Sequence, residues 1–153
     1  MDNLSDKELL SYSVSTLAWV GDAVFELYIR SRLAKRFPSP SGKLHHIATN
    51  FVSAKGQASL FETLDDDRND FPLSEQETNL LRRASNYHSH STPKDADLND
   101  YRRATAFETL IGWLWLNGQH GRVEELIEYV LRRSGMAERL ELDPQNRNSN
   151  GES

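Results

Sequence analysis

Apolar residues recur along this chain at intervals of three and four, and alternating β-branched runs are absent, so the pattern predicts an all-α fold. Ser5 and Glu8 form a capping box, with Leu4 and Leu9 spaced around it as a hydrophobic staple, which starts a helix near Asp6. The polar run from Ser11 to Thr16 is expected to interrupt it. From Ser15 to Lys35, residues Leu17, Ala18, Gly21, Val24, Phe25 and Tyr28 share one face and define a long central helix. Pro38 and Pro40 end it, and Ser41 or Ser39 is expected to cap a helix over 42–64. After an acidic loop at 65–70, a second capping box, Ser74 with Glu77, opens a short helix to about Ser85. The stretch from Asn86 to Asn99 has no period and is rich in turn formers, and an irregular segment of that length points to function. Asn99 or Asp100 is expected to cap a helix from Tyr101 to Leu116, and a last helix from Arg122 ends at Gly135 as its C′ residue. The expected organisation is one domain over 1–135 and a largely disordered tail over 136–153, with almost nothing apolar after Leu142.

Two of these helices carry an interior glycine, Gly21 and Gly112, where glycine costs about 1 kcal/mol relative to alanine. Close approach of two backbones accounts for such a cost, so the helices are expected to cross at or near their glycines. Gly21 precedes Asp22, and Gly112 lies one turn after Glu108, so a crossing there brings two carboxylates to one place. Glu108 sits at the shoulder of the stripe made by Ala104, Phe107, Ile111, Leu114 and Trp115, and Asp22 flanks its own stripe. Two partly desolvated carboxylates repel unless a cation compensates them, and hard oxygen donors of this kind suit Mg²⁺. Ordinary ion pairs compete with that reading: Asp22 with a nearby arginine, Glu26 with Arg30, or Glu108 with Arg102 or Arg103.

The totals narrow the picture further. A chain of 153 residues, 37% hydrophobic and 27% charged, suits one water-soluble domain. With no cysteine there is no disulfide framework and no thiolate zinc site. The first residues lack the pattern of a signal peptide and no apolar run approaches a membrane span, so a cytoplasmic location is expected. The net charge of −5 argues against a protein that grips nucleic acid over its whole surface. The basic residues are clumped, however, at 30–36, Arg82 with Arg83, Arg102 with Arg103, and Arg132 with Arg133, either as solvated helix faces or as a local basic stripe. His88 and His90, with His45 and His46 elsewhere, give only a weak zinc signal without cysteine or an acidic pair.

The segment from Leu17 to Arg30, LAWVGDAVFELYIR, resembles the first motif of the Mini-ribonuclease III family, and FETLIGWLWLNGQHGRVEELI, from Phe107 to Ile127, resembles its second. Between them, KLHHIATNFVSAKGQA and the Thr92-Pro93-Lys94 segment are similar to that family in order and spacing. The resemblance implies a single, dimeric, all-helical ribonuclease III-type domain without a double-stranded-RNA-binding domain. It implies a Mg²⁺-dependent endoribonuclease that cuts double-stranded RNA, such as the 23S ribosomal RNA precursor, into ends with 5′-phosphate and 3′-hydroxyl. It assigns the catalytic and metal-binding positions to Asp22 and Glu108. Where longer bacterial ribonuclease III enzymes carry further acids, this chain has Ala18 and Thr105, as sparse Mini-ribonuclease III sites do. Arg82, Arg83, Lys94 and Arg103 flank the irregular stretch and the second motif and are expected to contact RNA. Trp19, Phe25, Trp113 and Trp115 are candidates for the homodimer face, with ordinary core the expected fate of most of them. The same residues leave open a non-catalytic RNA-binding or ribosome-associated module of this fold, or a helical adaptor without a nucleic-acid partner.

Overall fold

A computed structural model describes residues 7–8, 11–66, 69–87 and 97–141, with no strand among them. Ser13 accepts a hydrogen bond from the Thr16 amide and caps α1, Val14–Arg36, so the polar run at 11–16 does break the chain before the long helix. The capping box at Ser5 lies outside the described residues. After Phe37 the prolines keep the chain extended until α2, Ser41–Val52. Its N-cap is Pro40 and no side chain caps it, so neither Ser39 nor Ser41 plays the expected part.

The single helix expected over 42–64 is two. Ser53 turns extended (ψ 160°), its amide closes α2 on the Thr49 carbonyl, and its side chain caps α3, Ala54–Glu62, at the Gly56 amide. One residue thus ends a helix and starts the next without proline or glycine. The acidic segment that follows is non-helical where described, and α4, Glu75–Ser85, opens on the Ser74–Glu77 capping box.

The helix bearing Glu108 starts earlier than expected. Asp97, not Asn99 or Asp100, caps α5, Leu98–Leu116, by accepting from the Asn99 and Asp100 amides. Asp100 instead places its charge in the first turn, where the helix dipole favours it. Next, α6, His120–Arg133, begins two residues before the expected Arg122, and Gly135 follows in the left-handed region at φ 77°. Beyond that glycine lies a further short helix, α7, Met136–Glu141, with Ala137 buried. It falls past the expected boundary at 135, and residues 142–153 lie outside the described ones.

α1 and α5 share the most extensive contact, α3 and α4 pack on other sides of α5, and α2 lies against α1. The centre therefore belongs to α5 as much as to α1. Every residue from Ala104 to Leu114 is buried except Glu108, which is half-buried. A helix apolar on all sides is a core helix, and one ionisable group breaking that run stands out. Phe25 of α1 meets Phe107 of α5 edge to face at 5.2 Å.

A second buried acid is fully matched. Glu77, only 3% exposed, takes a bidentate pair from Arg122 (3.1 and 2.8 Å), whose guanidinium also donates to the Pro72 carbonyl and lies over the Phe71 ring. Burial by itself raises the Glu77 carboxyl, but the Arg122 hydrogen bonds and the Ser74 amide hold it below its ordinary value. Arg122→Ala should cost about 3 kcal/mol by leaving that carboxylate buried and alone. Urea unfolding at pH 7 measures the loss, and a change within 0.5 kcal/mol, the ordinary surface range, would show that the pair is idle.

Candidate active site

The crossing of α1 and α5 is a contact of main chain with main chain. A Cβ built on Gly21 would stand 1.7 Å from the Glu108 carbonyl oxygen, and one built on Gly112 would stand 1.9 Å from the Leu17 carbonyl oxygen. No side chain fits at either position, which accounts for two glycines inside helices. The residue after Gly21 is Asp22, and the carbonyl against Gly21 is that of Glu108 itself, so the crossing brings the two acidic residues together, near enough for the charge of Asp22 to act on Glu108.

Both acids are half-buried and both feel it. Burial raises the Asp22 carboxyl; the Gln57 amide opposes the rise and the neighbouring Glu26 adds to it. Burial, followed by the charge of Asp22, pushes Glu108 up to about 8, against a hydrogen bond from Gln57. Among the described residues no cluster of three or more histidines, cysteines or acids joins this pair. Ala18 and Thr105 are buried on the same two helices.

The third member of the site is one that sequence reasoning missed. Gln57 of α3 is fully buried, and its Nε2 donates to Asp22 Oδ1 (3.3 Å) and to the Val52 carbonyl (3.1 Å). The turn at Ser53 puts it there. Gly56, just before it, sits so close to the end of α2 that a Cβ would lie 2.2 Å from the Asn50 carbonyl oxygen. Lys43 to Ala58 matched the family as a segment, yet nothing in its pattern singled out this amide.

Three of the competing residues, Glu26, Arg103 and Asp22, have partners of their own. Glu26 bonds Arg30, four residues on, as a helix-surface pair. Arg103 pairs with Glu62 rather than Glu108, and among the described residues Asp22 takes its side-chain hydrogen bond from Gln57 rather than from an arginine. Of the four cations expected to meet RNA, Arg82 and Arg83 are exposed near the end of α4, where Arg82 donates to Asn79 and Arg83 to the Tyr12 carbonyl. Arg103 is half-buried, and Lys94 lies outside the described residues, as do His88 and His90. His45 and His46 are exposed on α2.

The aromatic candidates divide sharply. Phe25 and Trp113 are core, whereas Trp19 is 77% exposed and Trp115 stacks on the His120 ring at 3.8 Å. Leu27, not singled out by the sequence, is 64% exposed on the same helix as Trp19, and the two line an apolar groove with Val20, Trp115 and Val123. At its edge Tyr28 and Arg32 both donate to Glu128. Among the described residues no helix is long and apolar enough to cross a membrane.

An all-α domain that joins two half-buried acids across a glycine–glycine crossing is the class of protein defined here, and a family model described as the ribonuclease III domain matches residues 15–119. The Mini-ribonuclease 3 of Enterococcus faecalis is 42% identical over 119 residues, covering 78% of this chain and 88% of its own. That of Staphylococcus aureus is 34% identical over 131 residues, covering 86% and 96%. A Fusobacterium nucleatum protein solved by X-ray crystallography superposes with a TM-score of 0.68 at 28% identity, covering 80% of this chain and 93% of that one. The chain belongs to the Mini-ribonuclease 3 branch of the ribonuclease III family, and it is an endoribonuclease.

Proposed function

We propose that this chain is a Mg²⁺-dependent, cytoplasmic endoribonuclease that cleaves double-stranded RNA in ribosomal RNA maturation, on the 23S precursor, with Asp22 and Glu108 as catalytic metal ligands. The observation that carries the reading is the meeting of these two acids at the Gly21–Gly112 crossing. The residues suit the ion. They offer hard oxygens, their charges repel across a partly dry site, and the Oε1 of Gln57 is buried there without a hydrogen-bond partner. A bound Mg²⁺ supplies the charge neutralisation and water activation that a cut leaving 5′-phosphate and 3′-hydroxyl ends requires.

The chain's own residues hold and orient. Asp22 and Glu108 must be ionised to bind the cation, and Gln57 donates to Asp22. Arg82, Arg83, Lys94 and Arg103 supply local phosphate contacts to a domain of net charge −5. Double-stranded RNA offers them shape, phosphates and 2′-hydroxyls across its shallow groove rather than readable base edges.

A homodimer completes the reading. Two sites related by a two-fold cut opposite strands, and the Trp19–Leu27 groove supplies an exposed apolar face on α1 for a second copy.

Incubation of the purified chain with long double-stranded RNA and Mg²⁺ tests this. Native protein should cut it, and Asp22→Asn should lose on the order of a thousandfold in rate, about 4 kcal/mol. In the same series, Trp19→Asp should sediment as a folded monomer. Undiminished cleavage by Asp22→Asn would remove the assignment, and binding without cleavage by native protein would select a non-catalytic RNA-binding module.

A further inference from the structure

We propose that Gln57 is a positioning residue for the carboxylate pair: its amide fixes the orientation of Asp22 and leaves a buried acceptor at the cation site. This rests on the reading of Asp22 and Glu108 as cation ligands.

The orientation of the amide follows from its surroundings. A carbonyl can only accept, so the Val52 oxygen at 3.1 Å requires the nitrogen end of Gln57. The second amide proton is then free for Asp22 Oδ1 at 3.3 Å. One side chain, fully buried and anchored on main chain at the end of α2, thus holds an acid of α1.

A neutral donor suits this task better than a lysine or arginine would. It restrains the carboxylate without supplying a positive charge that would compete with the cation. The remaining atom, Oε1, is buried without a hydrogen-bond partner. A buried acceptor left unpaired is costly, and this one is matched if it receives a proton from water that accompanies a hydrated cation such as Mg²⁺. Outer partners of this kind typically change metal affinity 10- to 100-fold when removed.

Gln57→Met keeps the length and shape of the side chain and removes both the donor and the acceptor. The test is Mn²⁺ binding followed by electron paramagnetic resonance on the full chain without RNA, beside native protein and Asp22→Asn. Native protein should bind Mn²⁺ in a manner that Asp22→Asn abolishes, and Gln57→Met should bind about tenfold more weakly or worse while keeping native circular dichroism. Folded Gln57→Met with an affinity within twofold of native would overturn the role of Gln57 and leave the cation site standing. Native protein without Asp22-dependent binding would overturn the cation site, and this role with it.

Should Gln57→Met not fold, the native chain still decides. Its Gln57 side-chain NH₂ resonances should be protected from exchange and should shift on Mg²⁺ addition, and the shift should vanish in Asp22→Asn. Resonances that exchange freely or ignore Mg²⁺ would overturn the proposal.

Discussion

Gly112→Ala should leave no folded protein to assay. Its Cβ would lie 1.9 Å from the Leu17 carbonyl oxygen, 2.8 Å from the carbonyl carbon and 3.0 Å from the Gly21 nitrogen. All three are main-chain atoms of α1, so no side chain can rotate aside. The helices would have to separate along a seam packed by Leu17, Phe25, Phe107 and Leu110, none of them exposed at all. A domain of this kind holds roughly 5–15 kcal/mol in total, and opening its central seam exceeds that reserve. Circular dichroism with heating should show no cooperative transition. Gly42→Ala and Gly121→Ala are the controls, since a Cβ at either meets nothing within 4 Å. Those two should be neutral or gain up to about 1 kcal/mol in their helices. A Gly112→Ala protein that melts like native would mean that the two helices do not cross as described.

Glu108→Gln should abolish cleavage and, at the same time, stabilise the RNA-free protein. Burial and the Asp22 charge raise Glu108 from its ordinary 4.5 to about 8 in the folded chain. Between those values the folded state keeps a proton that the unfolded state has released, so native stability falls as pH rises from about 4.5 to about 8 and then levels. A glutamine has no proton to lose. At pH 8 the variant should exceed native protein by roughly 2–4 kcal/mol, and at pH 4 the two should converge. Added Mg²⁺ should narrow the gap by stabilising the native chain alone. Denaturant unfolding across this pH range measures both effects, and parallel profiles for the two proteins would show that Glu108 is not desolvated.

What could be read from the chain and what could not divide along physical lines. The α1 period, the Ser74–Glu77 box and the glycine crossing were legible because each is a local spacing with a local cause. The division at Ser53 was not, because a serine that turns extended between two helices looks in sequence like any polar helix residue. Asp97 competed with Asn99 and Asp100 for the same cap. The first apolar residue after it, Leu98, is 48% exposed and so belongs to no buried stripe. Gln57 and Arg122 escaped for a different reason. Their partners, Asp22 and Glu77, lie 35 and 45 residues away, beyond the reach of any helical period. Periodicity did separate two of the aromatics: Phe25 falls on the apolar face of α1 and is core, whereas Trp19 falls off that face and is largely solvent-exposed.

The way α1 meets α5 bears on how such a site endures through sequence drift. Where two helices touch through side chains, each change of a leucine to a valine or methionine resets their spacing by tenths of an ångström. Here the spacing is set by carbonyls seated against glycines, and main-chain atoms are the same in every sequence. The surrounding apolar residues can be exchanged for others of similar volume with modest loss, while the carbonyl-to-glycine contacts that space the helices stay the same. The spacing of the two helices then depends on Gly21 and Gly112, where no side chain fits, more than on the apolar residues around them.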